Sequence, residues 1–279
     1  MPARKTKKRN IEIILGIAAL VLTAISAATD IISLPKIRGW FNLDTPPSPV
    51  SQSVQADPAN LMDFFPMHIG AEWTYQYAQF TEPASASEDG ANPLLGQFTQ
   101  TVAVVDTGLS DRIKVVGLKV TGENFMNNCI NEGNQPYSGD LETWLVLDQT
   151  SLYQACSRQE AYAIANERIT APNNFDLSSG ALPMFQAPFE VGRLWSAFSD
   201  LPPRDDTAYQ WLVESQVDVT LAAGEFKDCY RILLYTTPDT TVRWVCPGIG
   251  LVAEQYHHHG AINDYSYELQ AYTTRIIEE

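Results

Sequence analysis

Residues 217–252 constrain the fold most, because glycine corners cut the stretch into short alternating runs. Val217, Val219 and Leu221 alternate with Asp218 and Thr220, the period of a strand with one wet face. Gly224 then breaks the run, where a residue with a Cβ resists a positive φ. Phe226, Tyr230, Ile232 and Leu234 carry the next apolar face, opposite Lys227 and Arg231. Residues 236–241, with Pro238 and Asp239, have turn chemistry. Gly248 and Gly250, behind Pro247, bend the last strand as closure of a curved sheet requires.

Cys229 and Cys246 are nearly equidistant from that turn, so antiparallel pairing brings them together. Their parities conflict, since Cys229 runs with Lys227 and Arg231 while Cys246 runs with Val242 and Trp244. A bulge is expected to reconcile the two faces. Cys129 and Cys156 flank a further segment. Four cysteines in an exported domain most simply make two bridges between sequential neighbours, with Cys129 to Cys229 or Cys246 as the less local alternatives.

The alternation continues on both sides. Strands are expected over 97–105, 112–121, 143–148 and 152–155, then over 209–221, 225–235, 242–246, 250–257 and 265–274, with one short helix over 160–169. Residues 81–93 read as a hairpin excursion or a mobile loop. Pro66, Gly70 and Trp73 recur at the same offset as Pro188, Gly192 and Trp195, so the chain carries an internal echo: a proline-led approach, a glycine corner and a strand launched by tryptophan. The fold class is mainly β, a strongly curved antiparallel sheet or half-barrel.

The N-terminus sets the address. Arg4, Lys5, Lys7, Lys8 and Arg9 precede an uncharged apolar run from Ile13 to Thr29. At about 1.5 Å per residue this is roughly 26 Å of helix, marginal for a full span and long for a signal-peptide core. Basic residues before it keep the N-terminus cytoplasmic and send the remainder of the chain across the membrane. Ala24–Ala28 offers small residues to a signal peptidase, but Ile31, Ile32, Leu34, Trp40 and Phe41 prolong the apolar character and favour an uncleaved anchor. The division is therefore residues 1–38 as basic N-terminus and single-pass membrane anchor (or signal peptide), 39–59 as a Pro/Ser-rich linker, and 60–279 as an extracytoplasmic β domain. Net charge is −15, and after residue 38 the chain holds 11 basic against 31 acidic side chains. A domain that acidic is repelled by nucleic acid, which excludes that class of partner.

No catalytic signature emerges, and neither a cofactor nor a metal is expected. His257–His259 is a histidine tract, yet consecutive strand side chains point to opposite faces, so a solvated strand end is the favoured reading. The oxygen-rich loop with Asn131, Glu132, Asn134, Asp140 and Glu142 lacks EF-hand spacing, and Asp205–Asp206 reads as a hydrophilic tip. The candidate ligand-binding residues are aromatic: Trp73, Trp144, Trp211 and Trp244, as the wall of a cavity on the concave face.

Phe65-Pro66, Gly70, Trp73 and Tyr75, then 223–229, Trp244 and 247–252, resemble the pattern of uncharacterised bacterial envelope proteins, many of them lipoproteins. These are similar to the lipoprotein-carrier half-barrels, in which a curved antiparallel sheet shelters acyl chains. This chain departs from them in lacking a lipid-attachment cysteine, a task its apolar N-terminal run takes over. The expected function is non-catalytic binding, at the envelope, of a lipid or other hydrophobic or amphiphilic ligand, or of a partner envelope protein. The alternatives are a structural scaffold with a filled core and a hydrolase with a dispersed site built on His68 or His257.

Overall fold

Period-two alternation becomes a continuous ladder in the computed structural model, which describes residues 56–80, 94–124, 137–138, 141–198, 208–236, 239–258 and 264–274. The strands are β1 (Glu72–Phe80), β2 (Leu94–Ser110), β3 (Ile113–Asn124), β4 (Tyr137–Ser138), β5 (Leu141–Asp148) and β6 (Ser151–Ala155). After helix α1 (Arg158–Thr170) come β7 (Pro183–Gln186), β8 (Leu194–Ser196), β9 (Gln210–Leu221), β10 (Gly224–Thr236), β11 (Asp239–Cys246), β12 (Gly250–His257) and β13 (Asp264–Thr273). Twelve of them form one sheet in the order β7-β6-β5-β3-β2-β1-β13-β12-β11-β10-β9-β8, and β4 pairs β3 off this path. Each half is a six-strand meander, and the β1–β13 ladder joins the halves.

The two edge strands, β7 and β8, are neighbours in sequence, so the sheet must curl round to let residues 187–193 connect them. The interior shows that it does. The Arg243 guanidinium of β11 lies 5.4 Å from the ring centre of Phe185 on β7 and 4.3 Å from that of Trp211 on β9. The mainly β expectation holds, as a nearly closed barrel-like sheet.

One end of the barrel is sealed by the chain that enters it. Residues 57–66 are stitched to the strand turns: Leu61 N donates to Gln149 O, Gly248 N to Asp63 O, and Phe189 N to Pro58 O. Phe64 packs edge-on against Phe189 at 5.0 Å, and Phe65 lies 5.2 Å from Phe185. Gly250 shows why a glycine is required here. Its φ is +90°, and a Cβ would meet the Phe65 ring at 2.8 Å.

The internal echo has a mechanical basis. Gly70 N donates to Val102 O, Val102 N to Ala71 O and Ala71 N to His68 O; the second copy repeats the pattern with Gly192 to Val213, Val213 to Arg193 and Arg193 to Glu190. Gly70 and Gly192 take φ of +82° and +92°. In each half a left-handed corner locks the first strand onto the next.

Helix α1 begins at a Ser-x-x-Glu box: Ser157 Oγ accepts from Glu160 N at 3.1 Å, and Glu160 Oε2 accepts from Cys156 N at 2.7 Å. Pro172 stands just past its end. The helix lies on the outer face, where Ala161, Ile164 and Ala165 join a cluster with Trp144, Val146 and Tyr153. Arg168, 1% exposed, fastens it by donating to Asp148 Oδ2, Thr150 Oγ1 and Asn174 O.

Cys229 and Cys246 are bonded to each other. The expected bulge is not needed between them, because the β10–β11 register runs without a shift from Tyr230↔Val245 to Thr236↔Asp239. The parity conflict is only apparent. Trp244 shares the outer face with its partner Arg231, whose guanidinium lies 5.8 Å from the indole, and Arg243 takes the inward position. Cys156 is also disulfide-bonded, and Cys129, the partner expected for it, lies outside the described residues. So do the expected anchor 13–29, most of the 39–59 linker, residues 81–93 and Asp205–Asp206. Among the described residues no helix is long and apolar enough to cross a membrane.

Candidate functional site

Register places the polar centre of the barrel. Arg243 on β11 stands opposite Glu254 on β12, and Glu254 stands opposite Tyr267 on β13. Strand alternation turns all three inward. Arg243 Nε donates to Glu254 Oε2 at 2.5 Å, Tyr265 Oη to Oε1 at 3.0 Å and Tyr267 Oη to Oε2 at 3.3 Å. Glu254 is 1% exposed, so a charge here is tolerable only because three donors converge on it. Burial, and then the adjacent carboxylate, push the Tyr265 and Tyr267 hydroxyls well above the usual phenol range. Burial works against the charge of Arg243, but Glu254 more than offsets it, and the guanidinium pKa ends above its ordinary value.

Arg243 is served differently. Trp211 and Phe185 flank its guanidinium, and its two Nη groups have no hydrogen-bond partner among the described residues. Arg243 also lines a cavity of about 100 Å³. Trp73, Tyr75 and Phe98 form an apolar wall, while Gln100, Thr143 and Gln154 add polar groups from β2, β5 and β6. The polar ends of two wall aromatics are tied to the backbone leading into and along β12. Trp73 Nε1 donates to Ile249 O at 2.9 Å and Tyr75 Oη to Leu251 O at 2.8 Å. Their rings are thereby fixed as walls, and burial raises the Tyr75 hydroxyl above its usual range.

Of the four tryptophans expected to line a cavity, Trp73 does so. Trp211 faces inward but stacks on Trp195 at 6.3 Å and on Arg243, away from the cavity wall. Trp144 and Trp244 require correction. Trp144 lies on the outer face under α1, and Trp244 lies on the outer face beside Arg231. Indole bulk alone does not reveal which face of a strand is covered, and here a helix buries part of the outside.

The site residues that sequence reasoning passed over are Arg243 and Glu254. The signal was present: two opposite charges on either side of the 247–250 corner, Arg243 between Val242 and Trp244 and Glu254 directly after Leu251, Val252 and Ala253. The histidine tract is accounted for locally, with His257 Nδ1 2.6 Å from Asp264 Oδ2 and His258 Nδ1 2.5 Å from Asp239 Oδ1; His259 lies outside the described residues. Among the described residues no three His, Cys, Asp or Glu side chains converge in a way that could hold a metal ion. His68 Nε2 is buried without a hydrogen-bond partner among the described residues.

No family model matches the chain, and no curated protein matches it. Among solved structures it is similar to a Bacteroides fragilis protein described as exported with a YmcC-like fold. That match has 14% identity and a TM-score of 0.37, over 75% of this chain and 98% of the other. It is similar also to a Parabacteroides distasonis protein described as a lipoprotein, at 12% identity and a TM-score of 0.37, over 75% of this chain and 98% of the other. Likeness at this level carries no functional inference.

Proposed function

We propose that this chain is a non-catalytic envelope protein that binds a small amphiphilic ligand inside its barrel. In this reading Ile13–Thr29 anchors it, with the N-terminus cytoplasmic and the β domain extracytoplasmic. One observation carries the binding role: a cavity with apolar walls is also lined by Arg243, whose amino groups have no protein partner among the described residues. A core that was only structural gains nothing from such a group, since apolar residues of similar volume stabilise as well or better.

The volume narrows the ligand. A cavity of about 100 Å³ is smaller than the ~150 Å³ void that admits benzene, and far below the ~300–1,000 Å³ of drug-sized pockets. This volume favours a compact molecule, or the compact end of a larger one, over a fully enclosed acyl chain. Native mass spectrometry of the full chain, released from its own membrane without added ligand, tests this. A stoichiometric adduct of low mass supports the reading, and an unliganded protein in every preparation contradicts it.

The scaffold reading has one observation in its favour. Phe64, Phe65, Phe185 and Phe189 pack against one another at the end of the barrel that the entering chain covers. The same mass measurement separates the two, because a scaffold retains nothing.

A further inference from the structure

We propose that Arg243 is the recognition residue of this cavity, and that it selects a neutral hydrogen-bond acceptor, a carbonyl or ester oxygen on a short apolar body, over a carboxylate or phosphate. The inference rests on the ligand-binding reading above and names the ligand's chemistry.

The two buried arginines make the first half of the argument. Arg168, on the outer face, donates from Nε, Nη1 and Nη2 to Asp148, Asn174 and Thr150. Arg243, 9% exposed, donates among the described residues from Nε alone, to Glu254. A guanidinium has five N–H groups, and the Nη atoms of Arg243 are not among the buried polar atoms sealed without a partner, so they keep surface that an acceptor can reach. The cavity is the place where an acceptor can sit. Trp211, 4.3 Å from the guanidinium, holds it in orientation from one side, so the Nη edge does not have to be ordered when a ligand arrives.

Charge supplies the second half. Glu254, 2.5 Å away, already balances Arg243. An incoming anion would add an uncompensated negative charge in a desolvated interior, beside that carboxylate. The penalty exceeds what one hydrogen bond returns. A cation is no better placed, because the Glu254 oxygens already accept from three donors and Arg243 repels it. A neutral acceptor avoids both costs. Its apolar remainder meets Trp73 and Phe98, and Gln100 and Gln154 across the cavity can take a second polar atom.

The test uses the full chain carrying ¹³C-methyl methionine, because Met67 and Met184 line the cavity and Met62 does not. The probes are methyl propanoate, butanoate and hexane, matched in heavy-atom count. The ester is expected to move the Met67 and Met184 resonances and leave Met62 in place. Its Kd should be about tenfold below those of butanoate and hexane. In Arg243→Met/Glu254→Gln the ester should lose that advantage and bind like hexane. An ester no better than hexane in the unaltered protein, butanoate as the tightest probe, or an advantage that survives the double substitution would each overturn the assignment. If hexane binds and the ester gains nothing, only this inference falls. If no probe moves either cavity methyl, the ligand-binding reading falls with it. The three-probe comparison on the unaltered chain decides the matter even where the double variant does not fold.

Discussion

Arg243 and Glu254 face each other across the β11–β12 ladder inside the barrel, with Nε 2.5 Å from Oε2. Among the described residues the two partners are unequally satisfied: three protein donors converge on the carboxylate, whereas the guanidinium gives one hydrogen bond. That imbalance links the fold to the proposed function, since the register that builds the sheet also sets Arg243 in the lining of the cavity.

Breaking the pair from one side should be severe. Arg243→Met strands Glu254 as a buried, uncompensated charge and is expected to lower unfolding free energy by about 3–5 kcal/mol. Arg243→Met/Glu254→Gln removes both charges and should recover at least half of that loss. Denaturant unfolding of the three proteins measures both steps, and a double variant no more stable than the single one would show that the pair is not coupled.

Alkaline pH should destabilise the fold through its interior phenols. Tyr75, Tyr265 and Tyr267 have folded pKa values raised by burial above the usual phenol value of about 10. Above that pH the unfolded chain releases these protons while the folded barrel retains them. Their contribution to stability is thus complete below about pH 10 and is lost as pH rises past it. Tyrosinate absorbance followed alongside circular dichroism should show these three ionising together with unfolding. Ionisation of every tyrosine near pH 10 in a still-folded protein would contradict the burial argument.

The Cys229–Cys246 bridge joins residues 17 apart in sequence. Loop-closure entropy for a loop of that size gives a stabilisation of about 3 kcal/mol. Replacing both cysteines by alanine should lower stability by roughly this amount without changing the strand content seen by circular dichroism. A variant as stable as the parent would show that the ladder itself already confines the loop.

Much of this architecture was legible because local chemistry and tertiary contacts agree. The 250–257 strand, the Gly224 and Gly250 corners and the paired Pro-Gly-Trp entries are set by backbone demands that a sequence displays directly. The edge strands β7 and β8, four and three residues long, are too short to show a period and exist because the barrel needs them at its seam. The inner and outer faces of β11 could not be assigned from hydrophobicity. Val242, Arg243, Trp244 and Val245 are all buried, so alternation carries no information there. Only the register with β10 and β12 turns Arg243 inward and Trp244 outward.

Glycine substitutions separate conformational strain from crowding. Gly70 and Gly192 both have positive φ with nothing within 4 Å of an added Cβ, so Gly70→Ala and Gly192→Ala should each cost about 1–2 kcal/mol, and by similar amounts. Gly250→Ala adds a 2.8 Å encounter with Phe65 to the same strain and should cost at least ~1 kcal/mol more. Thermal unfolding of the three variants gives the order. Equal losses would mean that the Phe65 seal yields freely.

The most direct test of the central claim is a high-resolution crystal structure of the protein taken from its own membrane without exposure to competing solvents. The account predicts density for a compact molecule in the cavity, with an acceptor atom within hydrogen-bond distance of the Arg243 Nη groups and an apolar part against Trp73. A cavity holding only water, or collapsed so that protein atoms accept from both Nη groups, would contradict it.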